Sequence, residues 1–293
     1  MSVTRPIPLP ILGIDMLSNE TALINGTVRE AVNVDIDRAG RFRRRAGQTL
    51  RVPGYGYHSI WGSQQRGIVL VGKNNELYRL KKDFTTEFVA FLNSAEPLSY
   101  TEYNGNIYWT NRTTIGWIPS DSMEARPVGV PVPKTAPTLS ASNGTLFPGT
   151  YAVVISFLDD RREEGGTTEV QTIHLPNGGG IKLDNLPVIN GWFIRIYITD
   201  PDGSVFHRSD EIPAVFPSYT VTQIAKGGDC NTQFLRPMPP GEFITWLAGR
   251  LYTAKDNVLY FSEAMRPHQY DPAHNFISFS GQISFIESVI GIS

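Results

Sequence analysis

The chain has 293 residues, of which 41% are hydrophobic and 18% are charged. This length and hydrophobic content are sufficient to bury a sizeable core, so the sequence predicts an ordered globular protein of about one to three domains. The formal net charge of -2 gives no global reason to expect a nucleic-acid or membrane-surface protein, and any basic site must be local. No apolar run approaches the roughly 20 residues that span a bilayer, so no membrane span is expected.

The composition favours strands over helices. With 27 glycines, 21 prolines and few charges, the chain is expected to contain many turns and few long helices. The single cysteine, Cys230, cannot form an intramolecular disulfide, and the first residues lack the apolar segment of a secretory signal. Synthesis in a cytosol and a reduced thiol are therefore expected.

Residues 31–47 predict a hairpin with a strongly basic second strand. Valine and isoleucine alternate with polar residues over 32–37, which is typical of a half-buried strand, and Gly40 predicts the turn. Pairing of the arginines with Asp35 and Asp37 on a solvated hairpin edge is one interpretation. The other is a local positive patch that binds phosphate or an acidic partner. The arginines are Arg38, Arg41, Arg43, Arg44 and Arg45.

Three later stretches share a hairpin pattern, in which two apolar runs flank a polar turn. They occupy residues 66–80, 103–118 and 246–262. Because a lone hairpin is only marginally stable, the repeats predict a larger assembly, such as propeller blades or a sandwich, and we favour a β-propeller. A closed β-propeller usually has about four to eight blades, and three units are fewer than this. Either other segments supply the missing blades or the ring is incomplete in this chain.

Two proline-rich segments, 127–137 and 236–241, predict the boundaries of an inserted domain. Six strand candidates lie between them, and about six to seven short strands in some ~100 residues fit a β-sandwich. The phrases Gly191-Trp192 and Arg195-Ile-Tyr resemble a fibronectin type III or immunoglobulin-like module. The candidates are 150–158, 167–175, 180–183, 192–199, 204–208 and 219–224. The predicted organisation is therefore all-β, with an N-terminal arm and propeller-like hairpins over 1–134, an inserted sandwich over 135–240, and a return to propeller-like hairpins over 241–293.

No motif predicts catalysis, cofactor binding or a metal. The nucleophile elbow, the Walker A loop and the Rossmann fingerprint are absent. His268 and His274 flank Asp271 without the ligand spacing of a zinc site, which favours a structural loop. The charged turn 159–164 is expected to be a solvated loop tip rather than the facing carboxylates of a glycosidase. Some aromatic residues could stack on sugars, although their strand spacing favours the core: Tyr55, Tyr57, Trp61, Trp109 and Trp117.

The basic hairpin also resembles part of a known family. The pattern Asn-x-Asp-x-Asp-x-x-Gly-x-x-x-x-Arg-x-Gly, followed by hairpins of the Gly-x-Leu/Ile-Tyr type, is similar to the tail nozzle or packaged-DNA stabilisation proteins of short-tailed bacteriophages. The likeness covers most of residues 25–118 and 241–293. The pattern is carried by Asn33, Asp35, Asp37, Gly40, Arg45 and Gly47.

The resemblance implies a non-enzymatic virion structural protein. Such a subunit forms a homo-oligomeric ring of about six copies, extends the tail channel below the portal and adaptor, and retains packaged DNA until ejection. The resemblance also implies tail fibre proteins as partners and no cofactor. The five arginines are expected to contact either packaged DNA, without sequence specificity, or an adjacent subunit. The expected location is the virion tail, after synthesis in the bacterial host cytoplasm. Family members usually run longer, and residues 285–293 end this chain within a strand pattern, so a short member or a shortened product is expected.

Two functions other than that of a tail nozzle protein are also consistent with the sequence. One is a tail adhesin that binds host surface glycan through the sandwich domain. The other, less favoured, is an enzyme that degrades a surface polysaccharide. A channel protein is expected to form a ring with other tail proteins, whereas an adhesin is expected to bind purified glycan on its own.

Overall fold

The computed structural model describes residues 12–224 and 227–288. The chain divides into two compact units, Met1–Pro53 and Gly54–Ser293. Across the described residues there are 26 strands and one three-residue 3-10 helix, Glu20–Ala22, so the predicted all-β class is confirmed. No helix within these residues is long and apolar enough to cross a membrane.

The described part of the first unit, residues 12–53, contains four short strands: β1 (Gly13–Ile14), β2 (Thr27–Val28), β3 (Val34–Ile36) and β4 (Phe42–Arg44). β1 and β2 are parallel, whereas β3 and β4 form the predicted antiparallel hairpin. In its turn, Gly40 has a φ of 73°, a left-handed conformation that glycine adopts without a Cβ clash. The Asp37 carboxylate accepts hydrogen bonds from the backbone N–H groups of Ala39 (2.9 Å) and Arg41 (3.1 Å), and so closes the turn.

The second unit begins with a sheet of four antiparallel strands in chain order, here called the first sheet: β5 (Tyr57–Ser63), β6 (Ile68–Lys73), β7 (Glu76–Leu80) and β8 (Thr86–Phe91). The β6–β7 pair is the first predicted hairpin. Its turn holds Asn74 at a φ of 52°, which asparagine tolerates better than most residues. Alternation along the strands places Leu70 and Leu77 on one face, where both are fully buried.

The second sheet has the same order: β9 (Ser99–Tyr103), β10 (Asn106–Asn111), β11 (Thr114–Ile118) and β12 (Arg126–Pro127). Its β10–β11 pair is the second predicted hairpin. Ile107 and Trp109 pack in one buried cluster with the first sheet. Tyr108 and Trp117 point to the opposite face, because successive residues of a strand alternate in direction.

Residues 138–221 form two sheets, here called the two-sheet module: β13 (Thr138–Leu146), β14 (Gly149–Leu158), β15 (Glu164–Thr167), β16 (Gln171–Leu175), β17 (Gly179–Asp184), β18 (Phe193–Thr199), β19 (Phe206–Pro213) and β20 (Ser218–Val221). One sheet has the order β13-β17-β20; the other has β15-β14-β18-β19, with β16 also pairing with β14. The inner faces of both sheets form a single buried cluster, which includes Tyr151, Val153, Ile155, Ile181, Leu183, Ile194, Ile196 and Val221.

The chain then continues with further short strands: β21 (Arg236–Pro237), β22 (Phe243–Leu247), β23 (Arg250–Lys255), β24 (Val258–Phe261), β25 (Gln269–Tyr270) and β26 (Phe276–Ser278). The third sheet has the order β22-β23-β24-β26 and contains the third predicted hairpin, while β21 pairs with β25. Ile244 and Leu251 pack against Tyr108 and Trp117. The second sheet is therefore covered on one face by the first sheet and on the other by the third.

The strand predictions for the two-sheet module are confirmed with two changes. Each of the six candidates overlaps an observed strand, but 167–175 is divided between β15 and β16, and the sequence does not predict β13. Residues 285–288 of the predicted last strand form no strand. Residues 1–11 and 289–293, which belong to the predicted N-terminal arm and last strand, lie outside the described residues, and the domain boundaries at 134 and 240 stay predictions.

Candidate functional site

The arginines singled out in the sequence lie on the β3–β4 hairpin of the first unit and at its ends. All five are exposed. In the register of the hairpin, Asp35 lies opposite Arg43. Since side chains alternate along a strand, Arg41 and Arg45 share that face with Arg43, and the hairpin carries a cationic stripe beside two aspartates.

Two of these arginines have carboxylate partners. Arg41 Nε donates to Asp37 Oδ2 at 3.1 Å, and Arg45 Nε donates to Asp35 Oδ1 at 3.0 Å. Exposed pairs of this kind contribute only about 0–1 kcal/mol. Among the described residues, the other three have no ion-pair partner: Arg38, Arg43 and Arg44. The pairing interpretation therefore holds for two arginines, while three guanidinium groups face solvent without a carboxylate.

The charged turn between β14 and β15 contains a set of ion pairs, so the prediction of a solvated loop tip holds for the exposed residues 160–162 but not for Asp159, which is buried. Arg126 binds the Asp160 carboxylate in a bidentate arrangement, with both distances 2.7 Å. Arg161 Nη2 lies 3.0 Å from Asp121 Oδ2. Asp159 is 9% exposed, and its carboxylate accepts the backbone N–H of Arg161 at 2.9 Å. The turn is thus fixed to the residues that surround β12.

A second group of charges centres on Arg195 in β18. Its guanidinium donates to Glu164 Oε2 at 2.5 Å and to Glu211 Oε2 at 3.0 Å. Glu164 Oε1 also accepts the hydroxyls of Ser156 (2.6 Å) and Tyr197 (2.7 Å). Burial alone would lower the pKa of Arg195, but the hydrogen bond to Glu211 and the charge of Glu164 outweigh it and raise the pKa. Burial, with the hydrogen bond to Glu164, raises the pKa of Tyr197.

His268 joins the same turn to the second sheet. Its Nδ1 lies 2.6 Å from Glu163 Oε2, and its Nε2 lies 3.4 Å from the Tyr108 hydroxyl. The imidazole packs on the Trp117 ring with centroids 4.4 Å apart. Only 8% of the His268 side chain is exposed. The sequence gives no signal for this contact, because Glu163 lies far away along the chain.

The two histidines considered for a metal site have different partners. His274 is 79% exposed and pairs with Asp271 at 2.8 Å, whereas His268 pairs with Glu163. In the part of the chain that the structure describes, no group of three or more His, Cys, Asp or Glu side chains could hold a metal ion.

The predicted aromatic residues divide between core and surface. Trp109 and Trp117 are buried in the clusters of the second sheet, as the strand spacing predicts. Trp61 stacks on Tyr100 with centroids 5.4 Å apart, and Tyr55 is 94% exposed. The structure therefore brings no exposed aromatic pair together from this set.

A cavity of about 510 Å³ lies beside the His268 and Arg195 groups. It is lined by Val130, by residues of the two-sheet module, by four residues between 228 and 232, and by the segment 265–269. Six of its fifteen lining residues carry charges, of both signs: Glu163, Glu164, Arg195, Arg208, Asp229 and Arg266. This volume lies in the range of small-molecule sites, which is about 300–1,000 Å³. Sequence reasoning misses the cavity because its walls come from segments distant along the chain.

The ion pairs of the β14–β15 turn predict a loss of stability in acid. Hydrogen bonds from Arg126 and Arg161 lower the pKa values of Asp160 and Asp121, respectively. Each carboxylate therefore stabilises the fold above its ordinary pKa of about 4, and this contribution is lost as the pH falls through the lowered value. Burial raises the pKa of Asp159, so the protonation of this carboxylate partly offsets the loss of stability in acid. The midpoint of thermal unfolding should stay level near neutrality and fall below about pH 4.

Asp160→Asn provides the control for this pH dependence. The variant lacks one titrating carboxylate, so its unfolding midpoint should fall less steeply in acid than that of the unmodified chain. Equal slopes for the two proteins would contradict the assigned role of the Arg126–Asp160 pair.

Comparisons with known proteins give little guidance for this chain. No family model and no curated protein matches it. A crystal structure of selenomethionine-substituted virginiamycin B lyase from Staphylococcus aureus is similar over 81% of this chain and 76% of that chain, at 15% identity and a TM-score of 0.22. A score this low assigns neither an architecture nor an activity.

Proposed function

We propose that the chain is a non-enzymatic structural subunit of a short-tailed bacteriophage tail, of the nozzle type. In this proposal, copies of the chain form a ring that continues the tail channel and helps to retain packaged DNA until ejection. The neighbouring proteins would be the portal, adaptor and tail fibre proteins. The resemblance of the basic hairpin to tail nozzle proteins is the reason for proposing this family.

The stacking of the three four-stranded sheets carries the proposal. Each is antiparallel, with strands joined mainly to their neighbours in the chain, and the second sheet packs against the first through Ile107 and Trp109 and against the third through Tyr108 and Trp117. Four-stranded sheets of this kind are the blades of β-propellers. The two-sheet module fits an immunoglobulin-like or fibronectin type III sandwich inserted between blades.

The native mass of the purified protein tests the ring. Light scattering of the protein alone, and then with the other tail proteins added, should give a ring of about six copies in at least one condition. A persistent monomer that binds purified cell-surface glycan would contradict the nozzle and support an adhesin.

The arginine hairpin supplies the proposed contact with DNA or an adjacent subunit. Replacing Arg38, Arg43 and Arg44 together by Gln should weaken binding to duplex DNA. The slope of log affinity against log salt should also fall, by about 0.9 for each phosphate that the variant no longer neutralises. Fluorescence anisotropy between about 50 and 200 mM salt measures both quantities.

The paired arginines of the same hairpin provide a matched control. A double variant, Arg41→Gln with Arg45→Gln, removes two cations whose guanidinium groups already contact Asp37 and Asp35. Its effect on DNA affinity should be smaller than that of the triple variant. Equal affinities and salt slopes for all three proteins would remove the hairpin from the DNA contact.

A further inference from the structure

The cavity beside Arg195 is lined by two cations that have no ion-pair partner among the described residues. Arg208, in β19, and Arg266, in the turn before β25, both line the cavity and are exposed. Within residues 12–224 and 227–288, neither guanidinium takes part in an ion pair or a hydrogen bond. Arg195 differs, because Glu164 and Glu211 occupy its donors. The guanidinium groups that line this cavity are planar donors whose geometry matches a carboxylate.

The acidic residues of the cavity limit the charge that a ligand can carry. Glu163, Glu164 and Asp229 line the same space, and each already contacts a basic partner: His268, Arg195 and His207, respectively. A multiply charged anion such as phosphate would meet repulsion from these three carboxylates. A ligand with one carboxylate would meet less repulsion because it carries a single charge, and its hydroxyl groups can donate hydrogen bonds to the glutamates.

The remaining polar side chains also suit hydroxyl groups. Asn231 lines the cavity and is exposed, so its amide can both donate and accept. Thr232 and Tyr197 add hydroxyls to the wall. Polar groups directed into a concave space from two separate segments are typical of sites that orient a small ligand.

We propose that this cavity binds a saccharide bearing a single carboxylate, of the uronic acid class. Arg208 and Arg266 bind the carboxylate, while Asn231 and the glutamates contact ring hydroxyls. The proposal does not rest on the nozzle function, since a ring subunit and an adhesin could both carry such a site.

Calorimetric titration of the full chain with a glucuronic acid disaccharide tests the site. Binding should be measurable, and the carboxyl-reduced neutral disaccharide and inorganic phosphate should each bind at least about tenfold more weakly. Arg208→Gln and Arg266→Gln should each weaken binding of the acid by about tenfold. Because both side chains are exposed and unpaired, the unfolding midpoints of these variants should match that of the unmodified chain.

A variant outside the cavity controls for a general loss of positive charge. Arg79→Gln changes an arginine of β7 in the first sheet, which does not line the cavity, and should leave binding unchanged. The proposal fails if the acid does not bind, if the neutral sugar or phosphate binds equally well, or if neither cavity variant weakens binding. Failure of the saccharide-binding proposal would not change the result of the light-scattering experiment that tests the ring.

Discussion

Replacing Glu164 by Ala should lower the free energy of unfolding by about 2–4 kcal/mol. The change removes the acceptor of three donors at once: the Arg195 guanidinium and the hydroxyls of Ser156 and Tyr197. The Glu164 and Arg195 side chains are only 13% and 20% exposed, so water replaces these hydrogen bonds poorly. Urea unfolding, followed by tryptophan fluorescence, measures the loss.

The variant Glu164→Gln distinguishes the contribution of the negative charge from that of the hydrogen bonds, because it removes the charge. The amide keeps an oxygen acceptor of nearly the same shape, so this variant should be less destabilised than Glu164→Ala. If both substitutions had negligible effects, Glu164 would not hold the β15 region in place.

Replacing Ile155 by Ala should cost about 2–5 kcal/mol, because the smaller side chain leaves a cavity in the core of the two-sheet module. Ile155 is fully buried and lies opposite Ile196 in the register of β14 and β18. Ile155→Val should cost only about 0.5–1.5 kcal/mol, since it removes a single methyl group. Chemical unfolding of both variants measures the difference.

Val170→Ala gives a matched surface control for this core substitution. Val170 is 45% exposed and lies between β15 and β16. Its truncation should change stability by no more than about 0.5 kcal/mol. A loss at Val170 equal to that at Ile155 would show that the module lacks the tightly packed core described above.

Local patterns in the sequence predict most of the strands, since the signals for a hairpin are themselves local. Apolar alternation and turn residues such as Asn74 and Gly40 locate the hairpins of all three sheets and of the first unit. β13 is missed because its residues, Thr138–Leu146, are mostly serine, threonine, asparagine and other small residues, and six of its nine positions are exposed. Pairing with β17 defines this strand, and that partner lies far along the chain.

The contacts of the candidate sites are predicted less well than the strands. The arginine hairpin is evident because five arginines lie within residues 38–45 of the sequence. By contrast, the turn 159–164 has the composition of a solvated loop, and only the tertiary structure supplies Arg126, Asp121 and His268 as partners. The cavity is missed for the same reason, because Arg208 and Arg266 come to line the same space only after the chain has folded.

The position of the second sheet has a consequence for the order of folding. One of its faces packs against a sheet that precedes it directly in the chain, but the other packs against Ile244 and Leu251, beyond the whole two-sheet module. Closing so long a loop as a random coil costs conformational entropy, and contacts between distant residues slow folding. If the module folds first, it brings its two ends into a fixed geometry and shortens the effective loop. The third sheet is then added last, onto a nucleus built from the earlier parts of the chain.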